Sequence, residues 1–142
     1  MSNATVEWIQ DMKFKGTTGS GHSLIMDAGT EHGGANSGPR PGELPLVAFG
    51  GCTGMDVIGI LKKMHIVPKS FRTEIRGENA TDHPKVYTEI WIKYIVEGDV
   101  PEDKLAKAID LSFNTYCSVG ALLKKSATVH HSYEILPAPA VN

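Results

Sequence analysis

The sequence has little cysteine and lacks the spacings that usually accompany metal-binding cysteines and histidines. Its two cysteines, Cys52 and Cys117, form no C-x-x-C pair and lie in distant parts of the 142-residue chain. None of the six histidines belongs to an H-x-x-x-H spacing. The close ligand pairs typical of structural zinc sites are therefore missing, and we expect neither a bound metal nor a cofactor.

An excess of positive charge is also missing. Lys and Arg number 14 against 16 Asp and Glu, which gives a net charge of -2. Nucleic-acid-binding domains usually carry clustered basic residues, so we expect no nucleic-acid partner. The G-x-S-x-G elbow of serine hydrolases is absent. The glycines at Gly19 and Gly21 are not followed by the lysine of a phosphate-binding loop.

The most apolar stretch, from Leu44 to Leu61, is interrupted by Pro45 and four glycines and carries one charge, Asp56. A membrane-spanning helix needs about 20 mostly apolar residues, and we interpret this stretch instead as the central helix of a soluble protein. The first residues do not have the pattern of a secretory signal, so we expect no export. Two cysteines without a signal of export predict a reducing, cytoplasmic location.

The length predicts a single domain over residues 1–142. Alternating and helical periodicities predict strands separated by helices, and hence an α+β fold with one antiparallel sheet of five strands. A capping-box pattern of Asp99 and Glu102 starts the second helix, and the tail from Pro137 is expected to be loose. The predicted strands are 6–14, 23–27, 71–79, 86–96 and 128–136. The predicted helices are 43–64 and a second one that has Pro101 in its first turn and one face running from Leu105 to Tyr116, followed by a short helical run around Gly120.

The first predicted helix is apolar nearly all round, and one five-stranded sheet cannot cover every side of such a helix. Gly50 and Gly54 form a G-x-x-x-G spacing that would let another backbone come close. A second subunit would bury the remaining face. The surplus apolar surface therefore predicts a homodimer.

The thiolate is the reactive form of cysteine. We consider His22 and Arg40 as the cations that would favour a Cys52 thiolate, with Glu43 holding such a cation in place. Cys117 lies where the second helical region bends, and this bend is expected to expose its thiol. If the two sulfurs meet, the pair supports peroxide reduction through a sulfenic acid and a disulfide. The alternative is that both thiols are inert core residues.

Two segments carry a resemblance to a known family. They are Pro41-Gly42-Glu43-Leu44 leading to Gly51-Cys52, and Tyr116-Cys117-Ser118-Val119. The chain resembles the OsmC/Ohr superfamily of osmotically inducible and organic-hydroperoxide-resistance proteins. The run from Gly50 to Val57, with Ile60 to Met64, is most similar to its YhfA-like branch.

This resemblance implies an intertwined homodimer with long helices at its centre, antiparallel sheets outside and two active sites at the subunit interface. Cys52 would be the thiol that peroxide oxidises, and Cys117 the resolving thiol. The disulfide would be reduced again by a small dithiol or a lipoylated protein.

The sequence departs from the family pattern near the first cysteine. Active members carry a glutamate at the position of Gly42, paired with an arginine from the first hairpin. Here the carboxylate is Glu43, and one residue along a helix turns a side chain by about 100°. The hairpin offers Lys15 and His22 but no arginine, which leaves Arg40 as the candidate cation.

The leading hypothesis is a cytoplasmic thiol peroxidase of the oxidative stress response that reduces organic hydroperoxides. Phe49 and Met55 would form apolar walls around Cys52. Two alternatives remain open: a non-catalytic dimeric protein that binds a small apolar ligand in the interface cavity, and a redox sensor that oxidises readily but turns over slowly.

Overall fold

The computed structural model describes residues 1–138, so most of the predicted loose tail lies outside the described residues. The described chain groups into two compact units, one over Met1–Leu44 and the other from Pro45 onward. The prediction of one domain stays a prediction. The strands are β1 (Ala4–Gln10), β2 (Lys13–Thr18), β3 (Ser23–Met26), β4 (Ser70–Asn79), β5 (Tyr87–Glu97) and β6 (Thr128–Leu136), and the α-helices are α1 (Leu44–Lys63), α2 (Glu102–Leu111) and α3 (Ser118–Leu123).

The first unit contains an antiparallel sheet in the order β1-β2-β3. The single strand predicted over 6–14 is wrong, because the chain turns back at Asp11. Asp11 adopts a left-handed backbone with φ 49°, a conformation that aspartate tolerates better than most residues. The Trp8 indole N–H donates to the Asp11 carbonyl oxygen at 2.8 Å and closes this turn. The alternation of apolar residues continues across the turn and hides it.

The long loop after β3 is organised by the buried side chain of Asp27. Its carboxylate accepts backbone N–H bonds from Ala28, Ala35 and Ser37 at 2.8–3.1 Å and a hydroxyl bond from Ser37 at 2.7 Å. The Ser37 hydroxyl and these amides hold the pKa of the Asp27 carboxyl well below its usual range. Short 3₁₀ turns at Thr30–His32 and Pro41–Glu43 interrupt the loop.

The second unit contains a three-stranded sheet in the order β4-β5-β6. β4 and β5 pair antiparallel, whereas β5 and β6 pair parallel. The prediction of one five-stranded antiparallel sheet is therefore wrong in strand number, in sheet number and in the direction of the last strand. Parallel neighbours need a crossover connection, and α2 and α3 provide it. The α+β fold class is confirmed.

Helix α1 buries one face in the core of the second unit. Phe49, Thr53, Val57 and Leu61 recur every four residues along this face and are at most 1% exposed, as expected for a helix with one core-facing stripe. They pack with the buried residues of β5 (Ile90, Ile92, Tyr94 and Val96) and of α2 (Leu105, Ala108 and Ile109).

The two glycines of the G-x-x-x-G spacing in α1 pack against side chains of β4 in the same chain. A Cβ at Gly50 would lie 2.6 Å from Ile75 Cδ1 and 2.7 Å from Thr73 Oγ1, and one at Gly54 would lie 3.3 Å from the Phe71 ring. The small residues thus let α1 approach the side chains of β4. Beside the glycines, α1 also carries the exposed apolar side chains of Val47, Met55 and Ile58. The segment Pro41–Lys63 is long and apolar enough to cross a membrane by length and composition alone, a test that core helices also pass.

Helix α2 ends earlier than predicted. The chain forms a π-helical turn over Ser112–Tyr116, closed by the Cys117 N–H donating to the Ser112 carbonyl at 2.9 Å. This wider turn holds one more residue than an α-turn, and Tyr116, expected on the buried face, is 60% exposed. The predicted capping box is also wrong: Pro101 precedes the helix, and no side chain caps it.

Candidate active site

The two cysteines meet in the second unit. Cys52 lies in the third turn of α1, and Cys117 lies at the break between the π-helical turn and α3. Their sulfur atoms and a carboxylate oxygen of Asp56 all lie within 4.8 Å of one another. Both cysteines are free thiols. The structure therefore brings together two of the four predicted site residues, from distant parts of the sequence.

Cys117 is more enclosed than the sequence suggested. It is 4% exposed, so the expectation that the bend exposes its thiol is wrong. Its sulfur accepts the Gly120 backbone N–H at 3.3 Å and so caps the start of α3. Burial raises the pKa of the Cys117 thiol to about 11, and the nearby Cys52 and Asp56 act in the same direction. Cys117 is accordingly a neutral thiol at pH 7, and Cys52 is partly exposed.

Asp56 terminates a chain of buried hydroxyl groups. The Ser112 hydroxyl donates to Asp56 Oδ2 at 2.8 Å. Because its one proton is used there, Ser112 accepts from Thr53 Oγ1 at 2.8 Å. Thr53 in turn accepts from the Tyr94 hydroxyl at 2.6 Å. All the bonds therefore point from Tyr94 toward the carboxylate beside the two sulfurs.

This chain of hydroxyls is shielded from solvent. Tyr94, Thr53 and Ser112 are each 0% exposed. Burial raises the pKa of Tyr94 to about 12, which keeps its proton available for donation. No described buried side-chain polar atom lacks a hydrogen-bond partner. The site is thus anchored to the core by a fully satisfied polar network.

A lysine side chain, Lys124, is held close to the site. Lys124 follows α3, and its ammonium lies 3.5 Å from the centre of the Phe113 ring and donates to the Phe113 carbonyl oxygen. Burial lowers the pKa of Lys124, while the negative charge of a Cys117 thiolate raises it. This interaction exists only when Cys117 is a thiolate, and the neutral thiol carries no charge for Lys124 to attract. Sequence analysis identified Lys124 only as the end of a helical run.

Arg40 and Glu43, the other two predicted site residues, belong to the first unit. The Arg40 backbone N–H donates to Glu43 Oε2 at 2.9 Å, while its guanidinium donates to Asn36 Oδ1 at 2.7 Å and to the Gly38 carbonyl at 3.2 Å. Glu43 is therefore bound to the main chain of Arg40. His22, the alternative cation, lies between β2 and β3.

Sequence reasoning missed the site role of Asp56, although a signal for it was present. Residues four apart on a helix lie on the same face, so Asp56 lies one turn after Cys52 on the same face of α1. Cys52, Asp56 and Cys117 each offer one atom that could bind a metal ion. Thr53, Ser112 and Tyr94 gave no comparable signal, because they come from three separate elements.

A shallow cavity of about 590 Å³ opens beside Asp56. Its other lining residues are mostly apolar: Met55, Ile60, Leu111 and Tyr116, with Gly59 and Lys63. Met55 is 79% exposed, whereas Phe49 is only 1% exposed and lies in the core. Of the two predicted apolar walls, Met55 is thus accessible and Phe49 is not.

The fold and the chain itself match known proteins. The family described as OsmC-like protein matches residues 33–132. The chain is 35% identical over 136 residues to Protein YhfA of Escherichia coli K12, covering 95% of this chain and 98% of that protein. A hypothetical protein from Aquifex aeolicus VF5 superposes with a TM-score of 0.86 at 34% identity over 98% of each chain.

A more distant structure shares the fold. The protein named as an organic hydroperoxide resistance protein OsmC from Legionella pneumophila superposes with a TM-score of 0.66 at 13% identity, covering 94% of this chain and 96% of that one. At this identity the likeness concerns the fold alone. The family match and the YhfA relative are sufficient for the assignment: this chain belongs to the OsmC-like protein family.

Proposed function

We propose that the protein is a thiol-dependent peroxidase that reduces organic hydroperoxides through Cys52 and Cys117. The observation that carries the proposal is the approach of the two sulfurs to within 4.8 Å of each other. Membership of the OsmC-like family and the name of the Legionella neighbour support it. The proposed setting is a cytoplasmic response to oxidative stress.

The chemistry needs no cofactor. The Cys52 thiolate attacks the terminal oxygen of R–OOH, the O–O bond breaks, and Cys52 becomes a sulfenic acid while R–O⁻ takes up a proton and leaves as the alcohol. The Cys117 thiol then condenses with the sulfenic acid and releases water, which leaves a Cys52–Cys117 disulfide. A small dithiol or a lipoylated protein supplies two electrons and two protons and restores both thiols.

The different burial of the two cysteines supports these roles. Cys52 is partly exposed and can meet a peroxide, while Cys117 is buried. The neutral Cys117 thiol does not compete for the substrate, because the thiolate is the nucleophile.

The cavity beside Asp56 supports an organic substrate. Its exposed Met55 and Tyr116 side chains offer apolar surface to the carbon chain of a peroxide. Hydrogen peroxide gains nothing from such contacts, because apolar burial contributes about 25 cal/mol per Å². We therefore expect alkyl and aryl hydroperoxides to be reduced faster than hydrogen peroxide.

The active form that we propose is a homodimer. Val47, at 67% exposed, and Met55, at 79%, lie on the open face of α1, and apolar surface of this kind is characteristic of interfaces. A charge placed there, as in Val47→Asp, should convert the dimer to monomers in analytical ultracentrifugation. Unchanged sedimentation of that variant would contradict the use of this face.

The decisive experiment follows consumption of cumene hydroperoxide by the reduced protein with dithiothreitol or dihydrolipoamide as reductant. The wild type should turn over repeatedly, and Cys52→Ser should be inactive. Ser118→Ala is the matched control, since it changes an exposed neighbour of the site and should retain activity. Full activity of Cys52→Ser would overturn the proposal.

A redox sensor is the second candidate. It is favoured by the binding of Glu43 to the Arg40 backbone, with the guanidinium held by Asn36 and Gly38. The same assay separates the two. One equivalent of peroxide consumed per chain, without further turnover in excess dithiol, would identify a sensor.

A further inference from the structure

We propose that the reduced protein binds one zinc ion per chain through Cys52 Sγ, Cys117 Sγ and one carboxylate oxygen of Asp56. The three ligand atoms already lie within 4.8 Å of one another. A tetrahedral zinc ion with bonds of roughly 2.0–2.3 Å holds its ligand atoms roughly 3.3–3.8 Å apart. The ligand atoms therefore need to approach one another by at most about 1.5 Å to reach this geometry.

The chemical types of the ligands select the metal. Two thiolates favour soft and borderline cations such as Zn²⁺ and Cu⁺, and the carboxylate oxygen favours the harder of the two. Two cysteines and one carboxylate leave a fourth tetrahedral position for water. Cys52 is partly exposed, which provides access for the ion and for that water.

The surroundings of the ligands are already those of a supported metal site. The Ser112 hydroxyl donates to Asp56 Oδ2 at 2.8 Å, which fixes the orientation of the carboxylate. The Gly120 N–H donates to the Cys117 sulfur at 3.3 Å. Outer hydrogen bonds of this kind orient ligands and commonly change metal affinity by about 10–100-fold.

The backbone also keeps the ligands in place. Cys52 and Asp56 lie one turn apart on the 20-residue helix α1, a rigid spacing that places both on one face. Cys117 is held by its backbone bond to the Ser112 carbonyl at 2.9 Å. Ser112 thus positions both Asp56, through its side chain, and Cys117, through its main chain.

Binding is a matter of acid–base chemistry alone, without electron transfer. Zn²⁺ displaces one proton from each thiol, and these protons are released to solvent. Oxidation of the pair to a disulfide would remove both thiolate ligands and release the ion. The inference does not rest on peroxidase activity, because zinc binding requires only the reduced cluster.

The test uses the full-length protein, reduced and free of added thiols. Zinc affinity is measured by competition with a chromophoric chelator, and Co²⁺ is used as a spectroscopic substitute. We expect one ion per chain and thiolate-to-cobalt charge-transfer bands. Cys52→Ser and Cys117→Ser should each weaken these bands, and the double variant should lose them.

Asp56→Asn tests the carboxylate and should weaken zinc binding by at least about tenfold, because one charged ligand is lost. Asp110→Asn is the matched control: Asp110 is an exposed carboxylate hydrogen-bonded to Asn114, and its loss should leave the affinity unchanged. Circular dichroism checks that each variant is folded. Wild-type affinity in the double cysteine variant, or in Asp56→Asn, would overturn the inference, as would the absence of binding.

A peroxide assay distinguishes this inference from the proposed function. If the protein binds zinc, but the zinc-free protein does not consume peroxide repeatedly, the proposed peroxidase function is wrong and the metal site stands. Turnover without zinc binding would do the reverse.

Discussion

The Tyr94 hydroxyl lies 2.6 Å from Thr53 Oγ1, and both groups are completely shielded from solvent. This bond joins the middle of β5 to α1 and begins the chain of hydroxyls that ends at Asp56. A buried hydroxyl that loses its partner costs more than the bond itself contributed. The pair therefore affects both the stability of the fold and the position of the site.

The first prediction concerns this pair. Thr53→Val should lower the free energy of unfolding by about 1–3 kcal/mol, because it leaves the Tyr94 hydroxyl buried without an acceptor. Tyr94→Phe should lower the free energy of unfolding by about 1 kcal/mol. The double variant should cost less than the sum by at least about 0.5 kcal/mol, since the two residues are in contact. Urea denaturation measures all three, and strict additivity would contradict the bond.

The second prediction concerns the order of the thiol chemistry. In Cys117→Ser the sulfenic acid formed on Cys52 has no thiol to condense with, so it should accumulate after one equivalent of cumene hydroperoxide. Labelling with a dimedone probe and mass spectrometry measure it. The wild type should give the internal disulfide instead. If Cys117 in the Cys52→Ser variant is labelled as fast as Cys52 in the Cys117→Ser variant, the assigned roles are contradicted.

The third prediction concerns the packing around Cys117. A Cβ at Gly120 would lie 2.9 Å from the Phe49 ring and 3.2 Å from the Cys117 sulfur. Gly120→Ala should therefore destabilise the protein by about 1–3 kcal/mol through overpacking, and it should slow disulfide formation by displacing the sulfur.

Gly59→Ala is the control for this substitution. It lies in α1, and a Cβ there meets no atom within 4 Å. A gain of up to about 1 kcal/mol is expected, because alanine favours the helix over glycine. Thermal unfolding and the rate of thiol loss after mild oxidation measure both variants. Equal effects of the two substitutions would contradict the packing argument.

The fourth prediction concerns the loop held by Asp27. In Asp27→Asn the side chain keeps a single oxygen acceptor, so the amides of Ala35 and Ser37 should exchange with deuterium faster than in the wild type. Hydrogen exchange measured by mass spectrometry checks this. Unchanged protection of those amides would show that the carboxylate does not hold the loop.

The same carboxylate sets a pH dependence. The folded-state pKa of Asp27 is depressed, so its ionised form stabilises the fold above the ordinary aspartate pKa of about 3.9. That contribution is lost as the pH falls through the depressed folded-state pKa. The difference in stability between wild type and Asp27→Asn should therefore be full at neutral pH and shrink below about pH 4. A difference that grows in acid would contradict this assignment.

Periodicity and residue type were sufficient for most of the elements. The spacing of apolar residues predicted α1, β4, β5 and β6 within a few residues, because each element keeps one regular period along its length. The turn at Asp11 was missed, since it depends on one left-handed residue inside an unbroken alternation. The direction of β6 was also missed, because a parallel neighbour is determined by the crossover and not by the strand's own residues.

The site was only partly predictable, because contacts between separate elements leave no signal in the local sequence. Nothing in the local sequence of Cys52 and Cys117 indicates that they meet, and the resemblance to a family supplied that expectation. The four-residue spacing of Cys52 and Asp56 carried a signal that the two share one helix face, but the sequence analysis did not use it. The hydroxyls of Thr53, Ser112 and Tyr94 become neighbours only through packing between elements.

The π-helical turn at Ser112–Tyr116 holds one residue more than an ordinary α-turn and still delivers Cys117 beside Cys52. If all of these residues formed an α-helix, everything after the turn would be rotated by roughly 100° about the helix axis, and the second sulfur would be directed away from the first. A variant lacking Asn114 should instead close an ordinary α-turn and keep the two sulfurs together. A single-residue gap at this turn in a relative is therefore compatible with the same cysteine pair.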